Sequence, residues 1–283
     1  MKDGTGLVGF QKKYPERFFD VGIAEGHAVT FAAGLSAAGL KPVFAVYSSF
    51  LQRGYDQLVH DVCMQNLPVV FAIDRAGLVG SDGETHQGAF DLAYLSHIPN
   101  MTVISPKNKW EFADMIRFAI EHDGPIALRY PRGTAYDGLK DFRAPIEFGK
   151  SEVIYEESDI AIFSVGHMME EAYKVWGKLK EKGYRCSLIN SRFVKPMDEV
   201  VLKQMADTHQ LFVTIEEGVE TGGYGQQVTN YVSKEELPVK VLINAIPDKY
   251  VEQGSIGLLR KEILLDADSI VDKTIAVFEK MSQ

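Results

Sequence analysis

The alternation of short apolar runs with longer helical patterns is the feature that most constrains the fold. Residues 43–47 and 69–73 are apolar runs of strand length, each directly preceded by a proline. Between them, apolar residues recur on one helix face: Leu51, Tyr55, Leu58 and Val62. The strand pattern returns at residues 101–104 and 126–128, on either side of a helical pattern at 110–120. Strand–helix–strand order of this kind predicts a parallel sheet covered by helices.

A second alternating series follows a stretch that has no strong period. This stretch, residues 137–158, is rich in charge, glycine and proline, and we interpret it as a domain linker. The second series predicts a helix at 169–182 and strands at 160–165, 186–190, 211–216 and 239–244. The predicted fold class is therefore α/β, with two domains at residues 1–136 and 159–283. Each is expected to form a mainly parallel sheet covered by helices.

Composition narrows the classes of partner. The formal net charge is -9, which argues against nucleic-acid binding through phosphate contacts. No apolar run is long enough to span a bilayer, and the first residues lack the apolar core of a signal peptide, so we expect a cytoplasmic protein with no membrane partner. Cys63 and Cys186 lie in apolar stretches and are expected to be buried free thiols. No spacing of cysteine and histidine indicates a metal site.

An acidic residue opens a helical pattern that is otherwise nearly all apolar. Glu25 precedes a run that includes Ala28, Val29 and Phe31, and such a helix is expected to be buried on most sides. A carboxylate in the first turn is favoured by the helix dipole. Glu25 is therefore interpreted either as a residue that stabilises the helix or as a functional acid removed from water.

Polar clusters follow the ends of three predicted strands. Residues 47–56 follow the first strand, and residues 74–88 follow the second, with four glycines among acids, an arginine and a histidine. Residues 129–133 follow another strand and contain two arginines, which suit phosphate or carboxylate recognition. Ligands in open α/β sheets bind at this edge, and long ordered loops are usually functional. Taken singly, each cluster also allows a structural interpretation: helix caps, a core phenylalanine and surface charge.

Together these clusters resemble the 1-deoxy-D-xylulose-5-phosphate synthase family, which is related to transketolase. The most specific similarity lies in residues 47–61 and 74–91, whereas residues 190–198 and 214–217 resemble the family's C-terminal domain. The resemblance implies a thiamine-diphosphate enzyme that condenses pyruvate with glyceraldehyde 3-phosphate to 1-deoxy-D-xylulose 5-phosphate and CO2, for isoprenoid precursors. Family members have one domain for the cofactor diphosphate and Mg2+, one for the aminopyrimidine, and a C-terminal domain. This chain resembles the last two.

The resemblance also implies roles on the cofactor side of the site. Glu25 matches the acid that hydrogen-bonds N1′ of the aminopyrimidine, where its proton shifts the ring to the tautomer that activates the thiazolium. Phe50 matches the residue that stacks on the pyrimidine, and Tyr47 matches a residue that borders both cofactor and substrate. Glu25 is thus expected to be catalytic.

On the substrate side, the resemblance implies a second set of polar residues. Tyr47, Asp82 and His86 match residues that face the substrate. His86 is expected to be catalytic, through a hydrogen bond to pyruvate or to the intermediate. Arg75 and Arg132 match the residues that hold the phosphate of glyceraldehyde 3-phosphate, and Arg53 lies near the same region. The family's C-terminal domain contributes mainly to dimer packing, so a homodimer is expected.

The chain departs from the family pattern in three ways. Gly26 stands where the pattern has glutamine, the Gly-Asp-Gly…Asn signature for Mg2+ and the diphosphate is absent, and the pyrimidine domain lacks its leading helix and strand. We therefore expect no metal ligands in this chain, weak binding of thiamine diphosphate by the chain alone, and a need for a diphosphate-binding domain in cis or as a separate chain. The alternatives are the C-terminal subunit of a split transketolase and a catalytically silent dimerisation module.

Overall fold

The computed structural model describes residues 2–281, so Met1, Ser282 and Gln283, at the ends of the two predicted domains, lie outside the described residues. The strands are β1 (Val43–Tyr47), β2 (Val70–Asp74), β3 (Thr102–Ile104), β4 (Ile126–Arg129), β5 (Glu152–Tyr155), β6 (Asp159–Ser164), β7 (Cys186–Asn190), β8 (Phe193–Lys195), β9 (His209–Val219) and β10 (Lys240–Ile246). The α-helices are α1 (Val8–Lys13), α2 (Glu25–Ala37), α3 (Ser48–Leu51), α4 (Tyr55–Gln57), α5 (Asp91–Ser96), α6 (Lys109–Glu121), α7 (Met169–Glu181), α8 (Glu199–Ala206), α9 (Tyr224–Lys234), α10 (Ile256–Glu262) and α11 (Ala267–Met281). Short 3-10 segments lie at Pro15–Arg17, Gln52–Gly54, Gly80–Asp82 and Gly166–Met168, and a π-helical segment at Leu58–Cys63.

The first sheet has the strand order β1-β2-β4-β3-β8. Its first four strands pair in parallel, with Tyr47 opposite Asp74 and Ile73 opposite Arg129. The residues of β2 and β4 are almost all buried, as in parallel strands that are covered on both faces. This register places the carboxyl ends of β1, β2 and β4 side by side, at the edge where ligands bind in open α/β sheets.

The second sheet has the strand order β10-β9-β6-β7-β5, and only the β5–β7 pair is antiparallel among its described strands. Helices α7 and α11 pack against each other and contribute Val175, Leu179, Ile270 and Val271 to its core. The two helix-covered sheets confirm the predicted α/β class. Strand β5 falls within residues 137–158, the segment interpreted as a linker, because its four residues begin with the charged Glu152 and do not form a continuous apolar run. Within residues 2–281, no helix combines the length and apolar character needed to cross a bilayer.

Strand β8 joins the two halves of the chain. It follows β7, a strand of the second sheet, yet it pairs antiparallel with β3 of the first, with Ile104 opposite Phe193 and Val103 opposite Lys195. One core cluster accordingly combines Val103 with Phe163 of the second sheet. The two sheets therefore share a strand connection and a continuous core.

A buried group of charges, the interface ion cluster, also connects the halves. It consists of Lys107, Glu111, Glu152, Asn190 and Arg192. Lys107 Nζ lies 3.0 Å from Glu111 Oε1 and 2.6 Å from Glu152 Oε2. Arg192 completes the cluster, with Nε 2.6 Å from Glu111 Oε1 and Nη2 3.1 Å from Glu152 Oε2. Two cations face two carboxylates, which is the pairing that buried ions require.

Candidate active site

Glu25 is a buried acid at the start of α2. The residue is 8% exposed, and the helix is held in the core by apolar residues such as the fully buried Val29. Its cationic neighbour is Arg53, whose Nη1 lies 3.7 Å from Glu25 Oε1 and whose side chain is 63% exposed. The structure therefore places the acid below the protein surface, beside an arginine that reaches solvent.

Gly26, where the family pattern has glutamine, packs beside Gln57. A Cβ at Gly26 would lie 3.2 Å from Gln57 Oε1 and 3.6 Å from the carbonyl oxygen of Arg53. A side chain at this position would therefore require Gln57 to shift. Gln57 Oε1 is buried and has no hydrogen-bond partner in the described part of the chain, so the neighbourhood of Glu25 retains unused hydrogen-bonding capacity.

Three rings from the segments at the ends of β1 and β2 meet beside Arg53. Tyr47 ends β1 and Phe50 lies in α3, and their rings stack with centroids 5.2 Å apart. The ring of His86 meets Phe50 edge-on at 5.2 Å, and the guanidinium of Arg53 lies 5.6 Å from the Phe50 centroid. The fold thus brings Phe50 and His86, from the ends of neighbouring strands, into contact.

Arg75 is held in a strained position directly after β2. Its φ of 60° lies in the left-handed region, which is uncommon for a residue other than glycine. Its Nη1 donates to Asp74 Oδ2 at 2.7 Å and to the carbonyl oxygen of Gly4 at 3.1 Å, and its guanidinium lies 3.6 Å from the centroid of Tyr47. Burial raises the pKa of Asp74, although Arg75 opposes that change. Strain held by several contacts is a reason to suspect function, and Arg75 Nε is buried without a partner among residues 2–281.

Asp82 and Arg132 form an ion pair at the rim of the site. Arg132 Nη1 donates to Asp82 Oδ2 at 2.5 Å, and the two side chains are 41% and 33% exposed. Exposed pairs of this kind contribute little to stability. A cleft of about 750 Å³ adjoins Arg132 and is lined further by residues 79–81 and 253–256. Both charges are therefore open to a ligand.

The residues predicted from the sequence lie in two neighbouring groups. One is a continuous series of contacts through Glu25, Arg53, Phe50, Tyr47, Arg75 and His86. The other is the Asp82–Arg132 pair, which reaches the first group through the loop that carries both Asp82 and His86. Two acids at the site, Asp74 and Glu217, were given no role by the sequence analysis. Asp74 could have been found from its place at the end of a strand, whereas Glu217 binds the loop from a position far along the chain.

These residues fit one half of thiamine diphosphate. An aminopyrimidine needs a carboxylate and an aromatic face, which Glu25 and Phe50 supply, and Ser49 Oγ, Gln57 Oε1 and Arg75 Nε are buried nearby without partners from residues 2–281. In the part of the chain that the structure describes, no group of three or more His, Cys, Asp or Glu side chains is placed to hold a metal ion.

Two family models match the chain. They are "Transketolase, pyrimidine binding domain", over residues 1–136, and "Transketolase, C-terminal domain", over residues 149–270. The chain is 56% identical over 274 residues to 1-deoxy-D-xylulose-5-phosphate synthase of Lachnoclostridium phytofermentans, covering 96% of the chain and 44% of that protein. It is 48% identical over 270 residues to the synthase of Aquifex aeolicus, covering 95% and 43%. The chain therefore spans less than half the length of these relatives.

Solved structures show the same architecture. A split gene transketolase, described as an inactive beta4 tetramer, matches with a TM-score of 0.87 and 29% identity, over 98% of this chain and 88% of that one. The transketolase of Campylobacter jejuni matches with a TM-score of 0.76 and 15% identity, over 91% of this chain and 39% of that one. The second match shows the fold alone.

Proposed function

The chain belongs to the transketolase family, and from this premise we propose that it is the pyrimidine-binding and C-terminal part of a 1-deoxy-D-xylulose-5-phosphate synthase. The complete enzyme would use thiamine diphosphate to condense pyruvate with glyceraldehyde 3-phosphate and release CO2. The observation that carries the proposal is the series of contacts that connects the buried Glu25, through Arg53, to Phe50 and His86. The 56% identity to a synthase of this kind supports it.

Glu25, Phe50 and Tyr47 act on the cofactor side. When bound, thiamine diphosphate supplies the chemistry that stabilises a carbanion on the substrate. Glu25 holds and moves a proton at N1′ of the aminopyrimidine, since it is a buried acid that Arg53 connects to the aromatic group. Phe50 offers one ring face to the pyrimidine. Tyr47 stacks on Phe50 and so supports the phenylalanine ring from its other face.

His86, Arg132, Asp82 and Arg75 act on the substrate side. His86 hydrogen-bonds an oxygen of pyruvate. Arg132 binds the phosphate of glyceraldehyde 3-phosphate, because a guanidinium at an open cleft suits a phosphate. Asp82 pairs with Arg132 and can also accept a hydrogen bond from a substrate hydroxyl. Arg75 contributes its unpaired Nε to the binding of the same phosphate, while the ion pair with Asp74 holds the Arg75 guanidinium in place.

The proposed enzyme is incomplete in this chain. Because the residues present do not fit a magnesium diphosphate site, we assign Mg2+ and the diphosphate to a further domain, in cis or on a separate chain. A homodimer is part of the proposal, and the split gene transketolase, a beta4 tetramer, supports self-association in general rather than a dimer in particular. The division at residues 1–136, 137–158 and 159–283 and the cytoplasmic location stay predictions.

The role of Glu25 is tested by substitution in the enzyme completed with a diphosphate-binding domain. Glu25→Ala is expected to lower turnover by about 10²- to 10⁴-fold, which is the range for loss of a general acid–base group. Glu121→Gln, an exposed change at the end of α6, serves as the control and is expected to leave turnover unchanged. Turnover of Glu25→Ala within a few fold of the unsubstituted enzyme would show that the assignment of the acid is wrong.

The second candidate is the C-terminal subunit of a split transketolase, which the TM-score of 0.87 favours. The two differ in chemistry, because the synthase releases CO2 from pyruvate and a transketolase acts on sugar phosphates without decarboxylation. Pyruvate-dependent CO2 release by the completed enzyme decides between them, and failure of both reactions would indicate a silent dimerisation module. Calorimetric titration of the isolated chain with thiamine diphosphate and Mg2+ is expected to show weak binding. Tight binding would contradict the proposed incompleteness.

A further inference from the structure

The loop that carries Asp82 and His86 is closed at its base by two glycines. Gly77 N donates to Gly88 O at 2.8 Å, and Gly88 N donates to Gly77 O at 2.7 Å. Residues 77–88, called here the site loop, therefore leave and rejoin the sheet edge at one point. Where this base lies determines where Asp82 and His86 stand relative to Phe50 and Arg132.

The site loop is fastened to backbone and side chains from the far end of the chain. Glu217 Oε2 accepts a hydrogen bond from Leu78 N at 2.9 Å. Gln87 Oε1 accepts from Val79 N at 2.7 Å, and Gln87 Nε2 donates to the carbonyl oxygens of residues 251 and 252 at 3.3 and 3.0 Å. Leu78 is buried in a core cluster with residues that follow position 218. Contacts across the two halves thus fix both arms of the loop.

Glu217 is the charged member of this attachment, and it is itself fixed. Its side chain is 1% exposed. Arg260 Nε lies 2.7 Å from Glu217 Oε1, and His167 Nε2 lies 2.8 Å from Glu217 Oε2. Burial alone would raise the pKa of Glu217, but Arg260 and His167 outweigh it and hold the pKa well below its usual range. A carboxylate with two such partners presents a charged acceptor to the loop, and charge-assisted hydrogen bonds are the stronger kind.

The loop backbone has room for this carboxylate only because residue 77 is glycine. A Cβ at Gly77 would lie 2.2 Å from Glu217 Oε2 and 3.0 Å from Glu217 Cδ, and Gly77 has a φ of 77°. Both the close approach and the left-handed backbone require glycine here. Glycine and carboxylate therefore form one matched contact across the two halves of the chain.

We propose that Glu217 is a positioning residue, which sets the placement of Asp82 and His86 by binding the base of the site loop from the C-terminal half of the chain. The inference deepens the proposed function, in which these two residues face the substrate. It gives the C-terminal half a part in the active site that is separate from dimer packing. Glu217 itself touches no substrate.

The test compares two buried carboxylates that both join the halves of the chain. Glu217→Gln replaces an oxygen by an NH2 donor, so the amide cannot accept from Leu78, His167 and Arg260 together. Glu152→Gln is the matched control, because Glu152 belongs to the interface ion cluster and has no hydrogen bond to the site loop. Hydrogen exchange is measured by mass spectrometry on the full chain for peptides that cover residues 77–88.

Glu217→Gln is expected to speed exchange in residues 77–88 about tenfold or more, as loss of a charge-assisted hydrogen bond predicts. Glu152→Gln also breaks a buried ion group and should lower overall stability, but it should speed exchange in residues 77–88 far less than Glu217→Gln does. Unchanged exchange in Glu217→Gln, or an equal increase in both variants, would overturn the proposal. If Glu217→Gln does not fold, Arg260→Gln serves instead, because it removes one partner of the same carboxylate. It should speed exchange in residues 77–88 by a few fold, and unchanged exchange would contradict the proposal.

The kinetic consequence is separate from the exchange result. In the completed enzyme, Glu217→Gln should lower kcat/KM about tenfold or more and leave the affinity for thiamine diphosphate unchanged, since Glu25 and Phe50 lie outside the loop. A fall in cofactor affinity as large as the fall in kcat/KM would count against a role confined to the loop. If the unsubstituted enzyme forms no 1-deoxy-D-xylulose 5-phosphate, the proposed function fails, while the exchange experiment still decides the role of Glu217.

Discussion

Removal of Lys107 should reveal how strongly the interface ion cluster holds the two halves of the chain together. The lysine side chain is fully buried and pairs with Glu111 at 3.0 Å and Glu152 at 2.6 Å. Burial acts to raise the pKa of Glu152, but Lys107 and Arg192 hold it below its ordinary value. Lys107→Met leaves two carboxylates with one cation. Because an uncompensated buried charge costs about 3–5 kcal/mol, we expect the free energy of unfolding to fall by that amount.

The measurement is urea unfolding, monitored by the fluorescence of the two tryptophans and analysed by linear extrapolation. Trp110 lies on α6 beside the first sheet and Trp176 on α7 beside the second, so Trp110→Phe and Trp176→Phe backgrounds report the halves separately. The double variant Lys107→Met/Glu152→Gln restores neutrality and should recover about 0.5–3 kcal/mol of the loss. A loss below about 1 kcal/mol in Lys107→Met, or a double variant less stable than the single one, would refute the reasoning.

Two other predictions concern buried titratable groups. Burial raises the pKa of Glu216 to about 7, from an ordinary value of 4.5. The unfolded chain therefore loses this proton first, and stability should fall by up to about 3 kcal/mol as pH rises from about 4.5 to about 7. Glu216→Gln should remove that part of the pH dependence. Unfolding curves for both proteins at about pH 5 and about pH 8 check this prediction. An equal change in the free energy of unfolding between the two pH values in both proteins would contradict it. Burial also raises the pKa of Cys63 and of Cys186 to about 12, so a thiol reagent at neutral pH should label both only after unfolding. Rapid labelling of the native protein would show that they are accessible.

Strand patterns in the sequence indicated where most strands lie but not which sheet each one joins. The runs that became β1, β2, β6 and β9 are long and apolar, so local pattern is sufficient to find them. Strands β5 and β8 have four and three residues and include Glu152 and Lys195. They are strands because a distant edge offers hydrogen bonds, and that information lies in the partner strand rather than in the segment itself.

The candidate site divides in the same way. Glu25, Phe50 and the polar loops could be located because strand ends of a parallel sheet converge at one edge. The attachment of the site loop could not be located, since Glu217 lies 139 residues from Leu78 and 43 from Arg260. A pair of adjacent acids in a buried strand signals an unusual environment, but it does not say which partners supply the compensating donors.

The strand exchange through β8 constrains the order in which the protein is completed during synthesis. Chains emerge from the ribosome N-terminus first, and domains usually fold as they emerge. Here Val103 of β3 pairs with Lys195 of β8. The edge of β3 therefore stays unpaired until β5, β6 and β7 of the other sheet have been synthesised. The second sheet in turn needs β9 and β10, which follow β8. Neither half can be finished before the other has begun, and a chain cut within residues 137–158 would release a first half whose β3 edge is exposed to pairing with other chains.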